Sequence, residues 1–194
     1  MHQVGIFLFD DIELLDFAGP YEVFSVASEL YDHGLFHVFT VSQGGQAVRT
    51  VNGLQALPDY GFGQHPGIDV LVIPGGNGTK KEMTKEPVIH WIKEAHRTAK
   101  ITMSVCSGAR LLGQAGLLDG LECTTHHEVV EHLSQIAPKA VIRKARYTDN
   151  GRLCTSAGIS AGIDLSLHIV ERLCGGEAAA RTKAYMEYGD WDGA

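Results

Sequence analysis

A mostly parallel β-sheet with helices on both of its faces is the architecture this chain leads one to expect, on three grounds. Short continuous runs of apolar, largely β-branched residues, Val4–Phe9, Ile68–Ile73 and Ile101–Val105, have the length and composition of strands buried on both faces. Between them lie stretches with apolar residues at helical spacing, and such strand–helix alternation builds a doubly wound sheet. Each run also breaks off sharply, at Asp10-Asp11, at Pro74-Gly75-Gly76 and at Cys106. These residues fall at the C-terminal ends of strands, where sheets of this kind bind ligands.

In chain order, the first strand, Val4–Phe9, is followed by a helix over Tyr21–Tyr31, in which Val23, Phe24, Ala27 and Leu30 share a face. Pro20 suits the first turn of that helix. Asp16 then stands just before or at the helix start, where an aspartate commonly caps. Phe36–Ser42 is a second strand. Ala47–Val51 and Leu54–Leu57 flank Asn52-Gly53, a strong hairpin signal, so this arm is expected to be small, antiparallel and peripheral. The strand Ile68–Ile73 runs into Pro74-Gly75-Gly76-Asn77-Gly78. The exposed N–H groups of Gly75 and Gly76 can bind an anion or a developing oxyanion, or the glycines can simply turn the chain. Pro87–Lys100 is helical, with Val88, Trp91, Ile92 and Ala95 on one face.

That helix delivers the chain to Ile101-Thr-Met-Ser-Val-Cys106-Ser-Gly-Ala-Arg-Leu-Leu-Gly113. A β-branched run ending at a cysteine, small residues, then a helical pattern is the layout of a nucleophile elbow with sulfur in place of oxygen. Helix-start N–H groups favour negative charge, so the expectation is a Cys106 thiol shifted toward thiolate. A buried structural thiol is the plainer alternative. Further on, Glu122–His127 forms a short strand or loop opening a helix through Ile136. His126 and His127 are adjacent and cannot both face one site. One of them can approach Cys106; a surface role is the alternative in a chain with ten histidines. Ala140–Ile142, Arg146–Thr148 and Leu153–Ser156 read as short strands, followed by a helix from Ala157–Asp164 through Leu173, with Ser160 as its cap, and another over Glu177–Tyr188.

Composition narrows the function. With 194 residues, 44% hydrophobic and 20% charged, the expectation is one ordinary folded domain over residues 1–194. A net charge of −7, from 16 Lys and Arg against 23 Asp and Glu, without a basic cluster, argues against a nucleic-acid partner and for a small molecule or protein. Four scattered cysteines with no Cys-x-x-Cys pair suggest neither disulfides nor a zinc site but a reducing, cytoplasmic setting. No segment has the length and hydropathy of a membrane helix, and the N-terminus lacks a signal-peptide pattern.

Taken together and in order, Asp16-Phe-Ala-Gly-Pro20, Ile73-Pro-Gly-Gly76, Ser104-Val-Cys-Ser-Gly108, Thr124-Thr-His126 and Ala157-Gly-Ile-Ser-Ala-Gly-Ile-Asp164 resemble the ThiJ/PfpI superfamily over nearly the whole chain. The resemblance implies a flavodoxin-like, class I glutamine amidotransferase-like domain, commonly dimeric, with a reactive elbow cysteine. Asp16 paired with Cys106 and a hydroxyl at Ser107 is most similar to the isocyanide hydratase branch, in which a threonine follows the cysteine. Ser107 in place of the histidine of the protease-like branch counts against proteolysis, and a chain stopping at Ala194 is not expected to carry the helix-turn-helix domain of the regulator members. Glyoxalase-like members usually place a glutamate near the cysteine, so Asp16 weakens that reading. The implied chemistry is hydration of an isocyanide to an N-formamide, without metal or cofactor. Cys106 is the nucleophile, Asp16 carries protons, Ser107 orients Asp16, and N–H groups around Gly76 and Ser107 stabilise charge. Glyoxalase-like carbonyl chemistry and a non-enzymatic redox-sensing role for the same cysteine are the competing expectations.

Overall fold

The computed structural model describes residues 1–189. Its strands are β1 (His2–Phe7), β2 (Phe36–Ser42), β3 (Val48–Arg49), β4 (Gln55–Ala56), β5 (Tyr60–Gly61), β6 (Val70–Ile73), β7 (Ile101–Ser104), β8 (Glu122–Cys123), β9 (Val141–Ile142), β10 (Tyr147–Asp149) and β11 (Leu153–Ser156). The helices are α1 (Leu14–Glu29), α2 (Thr79–Glu82), α3 (Glu86–Thr98), α4 (Ala109–Gln114), α5 (Val130–Ile136), α6 (Ala161–Cys174) and α7 (Gly176–Tyr185). Seven strands form the central sheet in the order β10-β11-β7-β6-β1-β2-β5, parallel except for β10. α1, α6 and α7 pack together as one helical layer and α2, α3, α4 and α5 as another, giving the expected flavodoxin-like fold.

The central strands are where the continuous apolar runs place them, and for the anticipated reason. β6, β7 and β11 are buried at every residue, as strands covered on both faces must be. The Asn52-Gly53 turn closes the small antiparallel β3–β4 pair beside the main sheet. After β1 the chain steps to β2 and β5 on one side, then returns to β6 and β7 on the other. The strand order therefore reverses at β1 and β6, and a crevice opens beyond the carboxyl ends of the strands at such a switch point.

Helices α1 and α7 depart from expectation at their ends, and α2 is a single turn the sequence pattern did not announce. α1 begins at Leu14, seven residues before Tyr21, and Pro20 lies inside it. Leu14 and Leu15 are exposed, so the first turn carries no inward apolar stripe to read. α7 ends at Tyr185 rather than Tyr188, where Glu187 takes a left-handed φ of 48°. β1 ends two residues early, but Leu8 and Phe9 stay buried as they carry the chain toward the crevice. Ser160 precedes α6 without a side-chain cap; its hydroxyl accepts instead from Arg146 at 3.1 Å.

Candidate active site

Three adjacent strands, β1, β6 and β7, deliver Asp16, Gly75-Gly76 and Cys106 to the same end of the sheet. Asp16 is the third residue of α1 and fully buried, and Glu13 occupies the position before the helix. Asp16 is therefore not a cap. Its Oδ2 accepts the Gly75 N–H at 2.9 Å, across a sequence separation of 59 residues. Pro20, four residues on, has no N–H to give the Asp16 carbonyl, so this turn of the helix lacks one of its bonds where the carboxyl is held. Asp16 Oδ1 has no hydrogen-bond partner. The Cys106 thiol is the neighbouring group that interacts with the carboxyl.

Gly75 and Gly76 are glycines because of what approaches them. A Cβ on Gly75 would stand 2.6 Å from Ser107 N and Oγ and 2.7 Å from Asp16 Oδ2. Gly76 has φ 121°, a left-handed value, and a side chain there would run into the backbone of Asp11–Glu13. The Ser107 hydroxyl accepts the Gly76 N–H at 2.8 Å and donates to the Gly76 carbonyl at 3.2 Å. This differs from expectation on two counts. Ser107 binds the glycine loop, not Asp16, and the N–H groups of Gly75 and Gly76 are already engaged, leaving neither free to receive an oxyanion.

Cys106 has φ 57°, unusual for a residue with a Cβ, in the sharp turn that precedes α4. Tertiary bonds fix this conformation. Its N–H donates to Ala157 O at 3.0 Å, its carbonyl accepts the Thr125 hydroxyl at 2.8 Å, and Val105 N–H reaches Ile73 O at 3.0 Å. The backbone N–H groups of Ser107 and Ile159 are directed at the sulfur. Ile159 is itself at φ 38°, a costly value for a β-branched residue.

The thiol is not shifted toward thiolate as its place at the elbow suggests. Burial pushes it up to about 12, and the Asp16 charge pushes in the same direction, against the Ile159 and Ser107 N–H groups that favour the anion. The turn before α4 supplies few helix-end amides, too few to offset desolvation and a neighbouring carboxylate. Asp16 is raised in turn from 3.8 to about 7, chiefly by burial and further by Glu13, against the Gly75 N–H and the thiol. Near neutral pH the thiol therefore keeps its proton while the carboxyl stands between its two forms.

Above them opens a pocket of about 290 Å³ bordered by Cys106, Ser107, Gly76, Arg110, His126 and Ile159. Of the histidine pair, His126 faces this pocket, its Nδ1 accepting Glu128 N–H at 3.3 Å and its ring over Gly158, while His127 is solvent-exposed. Thr125, Ile159 and Arg110 went unremarked as site residues in the sequence. A signal existed for Arg110: a lone charge amid small and apolar residues directly after the elbow. Among the described residues, no group of three or more His, Cys, Asp or Glu is placed to hold a metal ion, and no helix is long and apolar enough to cross a membrane.

Comparison with known proteins agrees with this fold. The chain is 33% identical over 186 residues to an isonitrile hydratase of Pseudomonas putida, covering 96% of this chain and 78% of that protein. It is 30% identical to the HTH-type transcriptional regulator GbdR of Pseudomonas aeruginosa, again over 96% of this chain but only half of the regulator's length. Among solved structures, a ThiJ/PfpI family protein from Pseudomonas syringae superposes with a TM-score of 0.89 at 27% identity, over 97% of this chain and 76% of that one. Drosophila melanogaster DJ-1beta shares the fold, with a TM-score of 0.85 at 21% identity over 97% of this chain and 99% of its own. The model of the DJ-1/PfpI family matches residues 2–172, and the chain belongs to that family.

Proposed function

We propose that this chain hydrates an isocyanide, R–NC, to the N-formamide R–NH–CHO, with Cys106 as nucleophile and Asp16 as proton carrier. The observation that carries the reading is the fully buried Asp16 carboxyl, poised at about 7 with Oδ1 unpaired, beside a thiol held in a left-handed elbow. A carboxyl tuned near the working pH is best placed to take and return a proton. Similarity to an isonitrile hydratase suggests the substrate class.

In the first step Asp16 accepts the thiol proton as Sγ bonds to the terminal isocyanide carbon, and returns that proton to the same carbon, giving the thioimidate R–N=CH–S–Cys106. The Ser107 and Ile159 N–H groups hold negative charge on sulfur during the transfer, with Ile159 in the place first expected of Gly76. In the second step water adds to the carbon, Asp16 taking a proton from it and delivering that proton to nitrogen, which gives R–NH–CH(OH)–S–Cys106, whose hydroxyl proton later returns to sulfur through Asp16. The C–S bond then breaks, the formamide leaves and the thiol is reprotonated. Through Ser107, the glycine loop keeps Asp16 against the sulfur. We also propose that the chain works as a homodimer.

The test is formamide release from a simple alkyl isocyanide by the wild-type protein and by Cys106→Ala, with methylglyoxal consumption measured in parallel. Formamide production that requires Cys106 is the expected result. Methylglyoxal consumption without formamide would replace this reading with the carbonyl one.

A further inference from the structure

Arg110 stands four residues beyond Cys106, about one helical turn, and borders the same pocket. Its residue exposure is only 6%, which is rare for an arginine unless an acid accompanies it. Here none does. Nε donates to His132 Nδ1 at 3.0 Å and Nη1 to Thr79 Oγ1 at 3.2 Å; both partners supply a lone pair and neither supplies a charge. Among the described residues no carboxylate forms an ion pair with it, and Cys106 is the one acidic group that acts on it, while burial works against its charge. The Thr79 hydroxyl in turn donates to the Gly76 carbonyl at 2.8 Å, which ties the guanidinium through Thr79 to the glycine loop.

A guanidinium has five donors in a planar fork, and two are used. Among the described residues no countercharge meets it, and the residue borders the cavity over the nucleophile. The acids that also border the pocket do not neutralise it: the Glu128 side chain is 77% exposed, and Glu13 acts on Asp16 rather than on Arg110. Lys80, exposed and bordering the same pocket, adds positive charge there.

We propose that Arg110 is a specificity-determining residue that receives a carboxylate carried by the substrate, so that the preferred electrophile is an acid such as an isocyano carboxylate. The inference rests on Cys106 turnover of an isocyanide as far as the reacting group is concerned; the anion site itself does not. A carboxylate gives the fork the paired acceptor oxygens it lacks. Binding energy from this remote group then holds the reacting carbon over Sγ.

Two thiol reagents of nearly equal size test this without any turnover, because iodoacetate carries the carboxylate and iodoacetamide does not. Rates at Cys106, followed by peptide mass, are compared as a ratio for wild type, Arg110→Met and Arg110→Lys, each against free cysteine. The expected iodoacetate-to-iodoacetamide ratio in wild type exceeds that of Arg110→Met by about tenfold, the worth of a charge-assisted hydrogen bond, with Arg110→Lys between them. If Arg110 only steadied the thiolate, both reagents would slow together, and an unchanged ratio overturns the proposal. Should the variants not fold, protection of wild-type Cys106 from iodoacetamide by millimolar butyrate replaces them, and absence of protection is equally fatal. Isocyanoacetate and its methyl ester, given to the wild-type protein, separate the two readings. Hydration of both at equal kcat/KM overturns the carboxylate proposal alone, whereas reagent selectivity with no hydration of either overturns the isocyanide reading alone.

Discussion

Replacing Asp16 by Asn should make the protein's stability respond differently to pH, by an amount that follows from where the carboxyl sits. Asp16 is raised from 3.8 in the unfolded chain to about 7 in the folded one, because burial penalises its charge more than the Gly75 N–H favours it. An acid raised in this way holds its proton longer in the folded state, so folding loses stability as pH climbs through the window between those two values. At about 1.4 kcal/mol per pH unit, the full penalty above neutral pH is about 4 kcal/mol. Between about pH 5 and about pH 8 it grows by about 3 kcal/mol. Asn keeps an oxygen for Gly75 but cannot ionise, so the variant escapes that slope, while the constant cost of burying an amide cancels from the comparison. Urea unfolding of both proteins at the two pH values and fixed ionic strength reads the difference. The variant should gain on the wild type by about 3 kcal/mol on going to the higher pH, while its hydration rate falls by about 10² to 10⁴. A stability difference that stays flat with pH would mean that Asp16 is ionised throughout and would remove the proton shuttle from the mechanism.

Further outcomes follow from the same site. Asp16→Asn should quicken iodoacetamide labelling of Cys106 at mildly alkaline pH and lower the pH at which labelling begins, since a neighbouring negative charge disappears; peptide mapping against pH checks this. Ser107→Ala leaves the Gly76 N–H without its acceptor and should cost about 1–3 kcal/mol in denaturant unfolding, with Ser107→Thr largely restoring it. Gly75→Ala forces a methyl within 2.6 Å of Ser107 and 2.7 Å of Asp16 and should destabilise by about 1–3 kcal/mol while abolishing turnover. Sedimentation at micromolar concentration should give twice the mass of the chain; a monomer would remove the homodimer proposal but leave the chemistry standing.

The frame of the molecule was legible because its strands are buried on both faces and therefore write themselves as unbroken apolar runs, as in β6 and β7. The same logic fails for α1, whose first turn exposes Leu14 and Leu15, so the helix start was placed at the proline instead. Within the site, strand order alone brings Asp16, the glycine loop and Cys106 to one rim, and that much can be inferred from a chain. Which donor meets which acceptor cannot. Gly76 spends its N–H on a hydroxyl 31 residues away, and the amides aimed at sulfur come from Ser107 and from Ile159, far along the sequence. The thiol's resistance to ionisation likewise depends on how completely Asp16 and Cys106 are covered, which no spacing of residues encodes.

The two margins of the central sheet bear on how copies of this chain can meet. An open strand edge is a template for indefinite growth, yet β5 at one margin has two residues and β10 at the other has three. The β10 flank is occupied further: the Glu122 carbonyl of β8 accepts the Thr148 hydroxyl at 3.2 Å and the Asn150 amide at 2.8 Å, contacts that seal the margin through side chains without extending its ladder. Edge strands this short offer a second sheet little backbone to pair with. Helix and loop surfaces, by contrast, can close on a symmetric partner and stop there, so the architecture favours a finite assembly over a fibre.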